Sequence, residues 1–268
     1  MELFQWGTNP WGQEVAIRLS WDLLYVFATL GIVFVIGHMI FRKVYPERPE
    51  GEPTSEELKG LPERVTRHSL ASRLFHWVMA ASMLVLLFSA FLPIVGVQFN
   101  WLVWHWVAGI VLIISVLYHI VHAVFFQDLW SVWISPSDVK EGMRDLKHMM
   151  GSGPAPEKPG KYPFANKAYH AAVLVTTLAV IVTGILMLYR IQTPLVTRNP
   201  YLLSDQSWGV TYVLHGLAGV VMVFLVIAHI YFAVLPEKRW QTWSMIRGWI
   251  SKKDYATYHD RRRWAIRD

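Results

Sequence analysis

Residues 209–235 read GVTYVLHGLAGVVMVFLVIAHIYFAVL, and this stretch decides the fold of the chain. It is long enough to cross a bilayer, which needs about 20 apolar residues, and it contains no Lys, Arg, Asp or Glu. Its two histidines, His215 and His229, are fourteen positions apart. At about 3.6 residues per turn, this spacing brings both imidazoles to nearly the same face of one helix, close to opposite ends of the span.

The same spacing occurs a second time. Residues 102–126 carry His105 and His119, again fourteen positions apart, and His76 lies near the start of another apolar run at 74–95. Histidines inside hydrocarbon are unusual and generally functional. The alternative, that each imidazole only hydrogen-bonds a neighbouring helix, explains one isolated histidine better than several at two matched depths. The pattern predicts a helix bundle with one cofactor at each depth.

The composition is typical of a membrane protein. Of the 268 residues, 54% are hydrophobic and 14% are aromatic, and Trp and Tyr favour the membrane–water interface. The chain has no Cys, which excludes disulfides, thiolate metal sites and Cys-ligated iron–sulfur clusters within it. The net charge of +6 would suit nucleic acid, but the cations gather beside the apolar runs. We therefore expect contact with membrane lipid and no binding of nucleic acid.

Five apolar runs predict an all-α integral membrane protein with five transmembrane helices. The last four form a predicted cofactor-binding bundle within 73–235, and the first is an extra helix at 21–41. The remaining segments are an N-terminal segment at 1–20, a Pro- and Glu-rich loop at 42–72 that we expect to be exposed, and a tail at 236–268. The predicted spans are 21–41, 74–95, 102–126, 169–189 and 209–235.

The polar segments carry weaker patterns. Segment 127–168 contains a Ser-Pro helix start followed by a Gly/Pro-rich stretch, which predicts a short surface helix and then a loop. His38 is expected at the membrane interface and not as a ligand. The tail has apolar side chains at helical spacing among cations, which predicts a helix lying in the interface; these side chains are Trp240, Trp243, Ile246, Trp249 and Ile250.

The distribution of cations predicts the orientation. Of the 25 Lys and Arg residues, all but Arg18, Arg190 and Arg198 lie in segments on one side of the five spans. Because Lys and Arg accumulate in cytoplasmic segments, we expect a periplasmic N-terminus and a cytoplasmic tail in the inner membrane of a prokaryote.

This orientation sorts the histidines into two layers. His105 and His215 fall in the outer layer, and His76, His119 and His229 fall in the inner layer. Imidazoles on facing helices can hold the iron of a b-type haem from both sides. From spacing alone, either His76 or His119 could be the inner partner of His229.

Small side chains accompany several of these histidines. Gly109 follows His105 by four positions, and Gly219 follows His215 by four. A small side chain one turn along the same face leaves room for a flat macrocycle, although small residues also allow close helix packing. Zinc or copper is the competing hypothesis, but it would favour mixed His, Asp, Glu or Cys ligands, which the spans lack near the histidines. We therefore expect two b-type haems.

Several motifs together resemble one family. RLFHW at 73–77, WHWVAG at 104–109 and LHGLAGVV…AHIYFAV at 214–234 are similar to the membrane cytochrome b (gamma) subunit of formate dehydrogenase, hydrogenase cytochrome b, thiosulfate reductase cytochrome b and bacterial cytochrome b561. The tail fragment MIRGWISKKDYATYHDRRRW resembles the formate dehydrogenase subunit as well, so the likeness covers about 66–268.

The resemblance implies a ligand set and leaves His119 as a neighbour of the inner haem. It pairs His76 with His229 at the inner haem and His105 with His215 at the outer haem. It adds further residues that contact the cofactors, which are Arg73, Gly109 and Gly219.

The resemblance also implies a quinone site before the fourth span. The family has a lysine–tyrosine–asparagine motif there, and this chain has KYPFANK at 161–167, in which Pro163 and Asn166 replace amide positions. The family core has four spans, so the helix at 21–41 is a departure, expected as a partner-docking or lateral helix. The expected quinone residues are Tyr162, Asn166, Lys167 and His170.

The leading interpretation is a di-haem b cytochrome that anchors a respiratory redox enzyme. It would carry electrons between the iron–sulfur and catalytic subunits of that enzyme and the membrane quinone pool. One alternative is a stand-alone cytochrome b561-type membrane oxidoreductase, and another is a haem-free membrane transporter or structural subunit. The substrate of the partner enzyme and the direction of electron flow stay open at this point.

Overall fold

The computed structural model describes residues 3–46, 51–154 and 156–266. Five of its helices are long and apolar enough to cross a membrane, so the predicted all-α membrane fold with five spans is confirmed. In chain order the elements are β1 (Phe4–Thr8), β2 (Glu14–Leu19), α1 (Asp22–Val44), α2 (Ser55–Leu58), β3 (Arg64–Thr66), α3 (Leu70–Phe91), α4 (Trp101–Phe126), α5 (Pro136–Met149), α6 (Phe164–Leu188), α7 (Asp205–Val234), α8 (Arg239–Arg247), β4 (Trp249–Ser251) and α9 (Lys252–Tyr258).

The spanning helices are α1, α3, α4, α6 and α7. Helix α6 begins at Phe164, five positions before the predicted span at 169–189, because its first turns are helical but polar. The apolar pattern marks only the part of a helix that meets hydrocarbon, so it misses such an extension. The predicted short surface helix is α5, which begins with a capping box between Ser135 and Asp138.

The chain divides into two compact units, and each long helix contributes a segment to both. The first unit comprises Met1–Phe34, Val78–Leu117 and Val173–Ala228. In it, the antiparallel hairpin β1–β2 leads into α1, and Leu19 and Leu23 pack with Val220 of α7. Helix α1 continues along α7, since a Cβ placed on Gly31 would lie 3.0 Å from the Ile227 side chain.

The second unit comprises Val35–Trp77, Tyr118–Ala172 and His229–Asp268. His38 of α1 makes a 2.9 Å hydrogen bond with the Tyr231 hydroxyl of α7, so it joins two helices inside the protein. Strands β3 and β4 pair antiparallel, and beside them Val65, Ile250 and Tyr255 form a small core.

Two expectations about the polar segments are wrong. The tail pattern from Trp240 to Ile250 is not one helix, because α8 ends at Arg247 and Gly248 takes a φ of 92°. This left-handed conformation favours glycine and turns the chain into β4, where Ile250 is 2% exposed. Residues 47–50 of the expected exposed loop at 42–72 lie outside the described residues, and the described remainder is exposed only in part, since it supplies β3 and the buried Arg67. Pairing between distant strands overrides the local pattern in both segments.

Candidate functional site

The first pair consists of His105 on α4 and His215 on α7, which face each other within the first unit. Their ring centroids are 6.2 Å apart, with an interplanar angle of 68°. Two metal–nitrogen bonds of about 2.0–2.1 Å each, added to the radii of two imidazole rings, give a similar separation. The first pair is therefore spaced to ligate one metal atom between its rings.

Two hydroxyl groups orient the first pair. Ser89 Oγ lies 2.9 Å from His105 Nδ1, and Thr183 Oγ1 lies 2.8 Å from His215 Nδ1. Each hydroxyl also donates to the carbonyl four residues earlier in its own helix, at 2.7 Å for Ser89 and 2.5 Å for Thr183. Because that bond uses the only hydroxyl proton, the oxygen accepts from Nδ1–H of the imidazole. This fixes the tautomer and leaves Nε2 as the metal-binding nitrogen.

Sequence reasoning missed Ser89 and Thr183. They lie sixteen and thirty-two positions from the histidines that they contact, on helices α3 and α6. A lone hydroxyl in an apolar span usually bonds its own helix, so its presence alone predicts nothing. Only the structure distinguishes these two hydroxyls, because it shows that they are buried: Ser89 is 2% exposed and Thr183 is 6% exposed.

The glycines around the first pair leave space beside it. A Cβ placed on Gly109 would meet only Leu86, at 4.0 Å, and one on Gly219 would meet Phe91 at 3.6 Å. These ordinary contacts show that neither glycine is needed for close helix packing. The facing imidazoles, together with a glycine one turn after each of them, are compatible with a flat macrocycle, so the residues of the first pair fit a haem.

The second pair consists of His76 on α3 and His229 on α7, within the second unit. The ring centroids are 6.2 Å apart with an interplanar angle of 47°, so the separation equals that of the first pair. The surroundings differ, however. His76 Nδ1 is buried and has no hydrogen-bond partner among the described residues, and the Tyr169 ring stacks on His229 at 5.2 Å.

The structure brings His76, and not His119, to His229. The His119 ring instead stacks on Phe75, with centroids 4.1 Å apart, and faces His170 at 6.3 Å. These two neighbours belong to α3 and α6, whereas His229 belongs to α7. This arrangement favours the ligand set implied by the resemblance.

Arg73 lies one turn before His76 on α3. Its Nη1 donates to the Ile246 carbonyl at 2.6 Å, while its Nε is buried without a partner in the described part of the chain. A cation at i−3 shares a helix face with His76 and is available to an anionic group there.

The four expected quinone residues have separate neighbours. Lys167 forms an ion pair with Asp138, at 2.9 Å, in which both side chains are nearly buried. His170 faces His119. Asn166 donates its backbone N–H to the carbonyl of Pro163 in the first turn of α6.

Tyr162, the fourth, has the Arg67 guanidinium 5.6 Å from its ring centroid. Burial raises the pKa of Tyr162, although Arg67 acts in the opposite direction. Its phenol is therefore a neutral hydrogen-bond donor at physiological pH.

Other metal sites have little support. Within residues 3–46, 51–154 and 156–266, no three His, Asp or Glu side chains converge where they could hold a metal ion. Zinc sites require at least three protein ligands, whereas a haem iron needs only axial ligands because the macrocycle supplies four nitrogens. The chemistry of the donor sets therefore favours haem at both pairs.

Comparison with known proteins agrees with this chemistry. The family model described as prokaryotic cytochrome b561 matches residues 67–248, which is about two thirds of the chain. The matched region contains both histidine pairs and excludes helix α1. No curated protein matches the chain.

Proposed function

Since this chain belongs to the prokaryotic cytochrome b561 family, we propose that it is a di-haem electron conduit between a respiratory redox enzyme and membrane quinone. Family and fold together identify a multi-pass inner-membrane b-type cytochrome that acts in electron transfer. The observation that carries the finer proposal is the equal 6.2 Å separation of two histidine pairs that share helix α7. Two such pairs provide for two haems.

The residues of the first pair would hold one haem through Nε2 of both rings. When bound, a b-type haem supplies a one-electron iron couple. Ser89 and Thr183 accept the Nδ1–H protons, hold the rings in place and raise the basicity of the ligating nitrogens. The apolar helices exclude water from the site.

The residues of the second pair bind the other haem. Tyr169 restrains the ring of His229 by stacking, and Arg73 adds positive charge one turn from His76. His215 and His229 are fourteen residues apart on α7, as in the sequence pattern, so one helix serves both haems.

We assign quinone binding to the side of the second pair. Tyr162, Asn166 and His170 supply donors for quinone carbonyls, and imidazole is suited to deliver a proton. Lys167 supports this site indirectly, because its charge is held by Asp138. The positive-inside rule puts this side in the cytoplasm and the N-terminus in the periplasm.

The partner assignment follows from the resemblance to subunits of formate dehydrogenase and its relatives. An iron–sulfur subunit and a catalytic subunit would complete the enzyme. Affinity purification of the full chain from its native membrane tests this: co-purified chains with iron–sulfur spectra support it, whereas an active chain alone favours a stand-alone oxidoreductase.

Haem content tests the central claim. Pyridine haemochrome analysis of the purified chain should give close to two b haems per polypeptide. One haem, or none, in fully loaded protein contradicts the proposal.

Orientation is tested separately. A reporter enzyme fused after Asp268 should work only in the cytoplasm. Activity only in the periplasm would exchange the sides of both haems.

A further inference from the structure

Several buried nitrogen donors in the second unit have no acceptor among the described residues. They are Arg42 Nε, Arg67 Nε, Arg73 Nε, His76 Nδ1 and Trp240 Nε1, of which only Arg42 has an ion-pair partner in the described ranges, Glu237. A buried donor that makes no hydrogen bond carries a free-energy penalty, which is larger when the donor is charged. Such a group of donors therefore favours a ligand that presents acceptor atoms only.

Arg67 is the most buried of these cations, with 3% of its surface exposed. Its guanidinium donates to His259 Nε2 at 2.9 Å and to the Lys161 carbonyl at 3.1 Å. It also lies 4.9 Å from the ring centroid of Trp240. Within the described ranges, no carboxylate lies at ion-pair distance from Arg67, so only neutral acceptors and ring faces balance its charge.

The surroundings of Arg67 are electropositive. Burial lowers the pKa of Arg67 to about 10. Burial, followed by the positive charges of Arg67 and Lys161, lowers the pKa of His68 to about 2, so this imidazole stays neutral. Both values mark a desolvated region that disfavours further positive charge and would be stabilised by an anion.

Gly248 links Arg67 to the second pair. Its carbonyl accepts from the backbone N–H of Arg67 at 2.8 Å and of His68 at 3.0 Å. A Cβ placed on Gly248 would lie 3.2 Å from Arg73 Nε, so Arg73 packs closely against this glycine. Because Arg73 lies one turn from His76 on the same face of α3, both arginines belong to the surroundings of the second pair.

We propose that Arg67 and Arg73, together with the indole N–H of Trp240, bind the carboxylates of the haem that the second pair ligates. This inference rests on the proposed function, which provides that haem. The donors suit carboxylate oxygens, because guanidinium presents a planar fork and both guanidinium and indole lack acceptor atoms. The tail, through Trp240 and His259, therefore helps to build this haem site.

The charge of Arg67 should also set the electron affinity of this haem. A buried cation stabilises the reduced state, which carries one more electron, and low dielectric strengthens the effect. Arg67→Gln in the full chain should therefore lower the reduction potential of the second haem and leave that of the first unchanged. Arg67→Lys, which keeps the charge but loses the fork, should give an intermediate value.

Arg64→Gln is the matched control. Arg64 lies three residues before Arg67, at the start of β3, with its guanidinium 4.4 Å from the Trp249 ring centroid, but it is exposed. Water and salt screen its charge, so neither potential should shift. An equal shift with Arg64→Gln would show a general charge effect and overturn the assignment.

Infrared spectroscopy provides a direct readout. In redox-difference spectra of protein containing haem labelled with carbon-13 at its carboxylates, Arg67→Gln should shift the labelled bands. Trp240→Phe retains the ring and removes one N–H, so it should shift them less. If Arg67→Gln fails to fold, Trp240→Phe and Arg73→Gln carry the same test.

The outcomes are distinguishable. Two haems, with the labelled bands and both potentials unmoved, overturn the inference and leave the proposed function intact. Loss of co-purified acidic lipid with unmoved potentials would assign Arg67 to a lipid headgroup instead. Fewer than two haems in the unmodified chain would contradict the proposed function itself.

Discussion

The two histidine pairs have the same separation but different support. In the first pair, Ser89 and Thr183 hold the Nδ1 atoms of both rings. In the second pair, His76 Nδ1 has no partner within the described residues, and stacking by Tyr169 restrains His229. Hydrogen bonds within the bundle orient both histidines of the first pair, whereas ring stacking restrains His229 of the second pair.

This difference indicates two ways of holding a metal ligand in a membrane. Hydroxyls that bond both a helix carbonyl and an imidazole suit an interior where every polar group must find a partner. In the second unit, the buried Arg67 and the half-buried Arg73, one turn from His76, have no carboxylate at ion-pair distance among the described residues, so an anionic ligand would match their charge. We expect the first site to be preformed and the second to be completed by its ligand.

The largest expected effect comes from removing a ligand. His215→Ala should abolish binding of the haem proposed at the first pair and retain the one proposed at the second, because the first pair would keep only one of its two imidazoles. His229→Ala should do the reverse. Haem content and low-temperature visible spectra measure both results.

His119→Ala is the control for these variants. His119 stacks on Phe75 and faces His170, so both haems should remain. Loss of the second haem in His119→Ala, with retention in His76→Ala, would reverse the assignment of the second pair.

A smaller effect is expected from the hydroxyls. Thr183→Val removes the acceptor of His215 Nδ1–H, and loss of such a partner typically weakens metal affinity by about 10- to 100-fold. The first haem should be lost preferentially when the detergent-solubilised protein is diluted. Comparison of haem content before and after dilution measures this loss.

Thr177→Val provides a matched control on the same helix. Thr177 is buried, and its hydroxyl has no partner in the described ranges, so its removal should be neutral or stabilising. If both variants lose haem equally, the Thr183 hydroxyl does not orient the ligand.

Much of the fold and the candidate histidines could be predicted from the sequence, for a physical reason. A span through hydrocarbon must be helical and apolar, so the five helices are visible as runs of residues. Histidines are costly in such runs, so His76, His105, His119, His215 and His229 stand out against them, and the structure is needed to show that His76 is the one that faces His229.

The supporting residues could not be predicted in the same way. Ser89 contacts His105 across two helices, and a serine in an apolar span has no distinctive pattern. Pairing of β3 with β4 joins segments about 185 residues apart, and no local signal in either short strand specifies it. The tail helix was predicted too long because Trp249 and Ile250 follow helical spacing by chance.

The ion pair near the second pair should affect stability more than quinone binding. Burial raises the pKa of Asp138, but hydrogen bonds from Lys167 and Ser135 outweigh it and lower the pKa overall, so the carboxyl is ionised at neutral pH. Lys167→Met leaves this nearly buried carboxylate unpaired, which typically costs about 3–5 kcal/mol. The thermal midpoint should fall while bound quinone analogue is retained.

The double variant Asp138→Asn/Lys167→Met sharpens this test. It removes both charges, so part of the lost stability should return. If Lys167→Met loses binding of the quinone analogue and the double variant does not restore it, Lys167 has a direct role at the quinone.

The smallest expected effect is a response of the tail to acid. Burial, reinforced by the positive charge of Arg67, lowers the pKa of His259 from its ordinary value of 6.5 to about 3. His259 is neutral in the fold, donates Nδ1–H to the Gly160 carbonyl at 2.8 Å and accepts from Arg67. Among the rings packed on it are those of Trp240 and Tyr255.

Acid should therefore loosen the tail around the second pair and spare the first pair. When the tail is unfolded, His259 binds a proton below about pH 6.5; in the folded tail it does so only near pH 3. The contribution of neutral His259 to the stability of the tail is therefore complete above pH 6.5 and declines as the pH falls. Amide hydrogen exchange in 249–258, corrected for intrinsic rates, should be faster at pH 5 than at pH 7.5. His259→Gln should remove this difference, whereas His148→Gln, at a half-buried position on α5, should retain it. If exchange is still faster at pH 5 in His259→Gln, the acid sensitivity belongs to another group. If acid changes the spectra of the haems at the first and second pairs equally, the two pairs do not differ in their dependence on the tail.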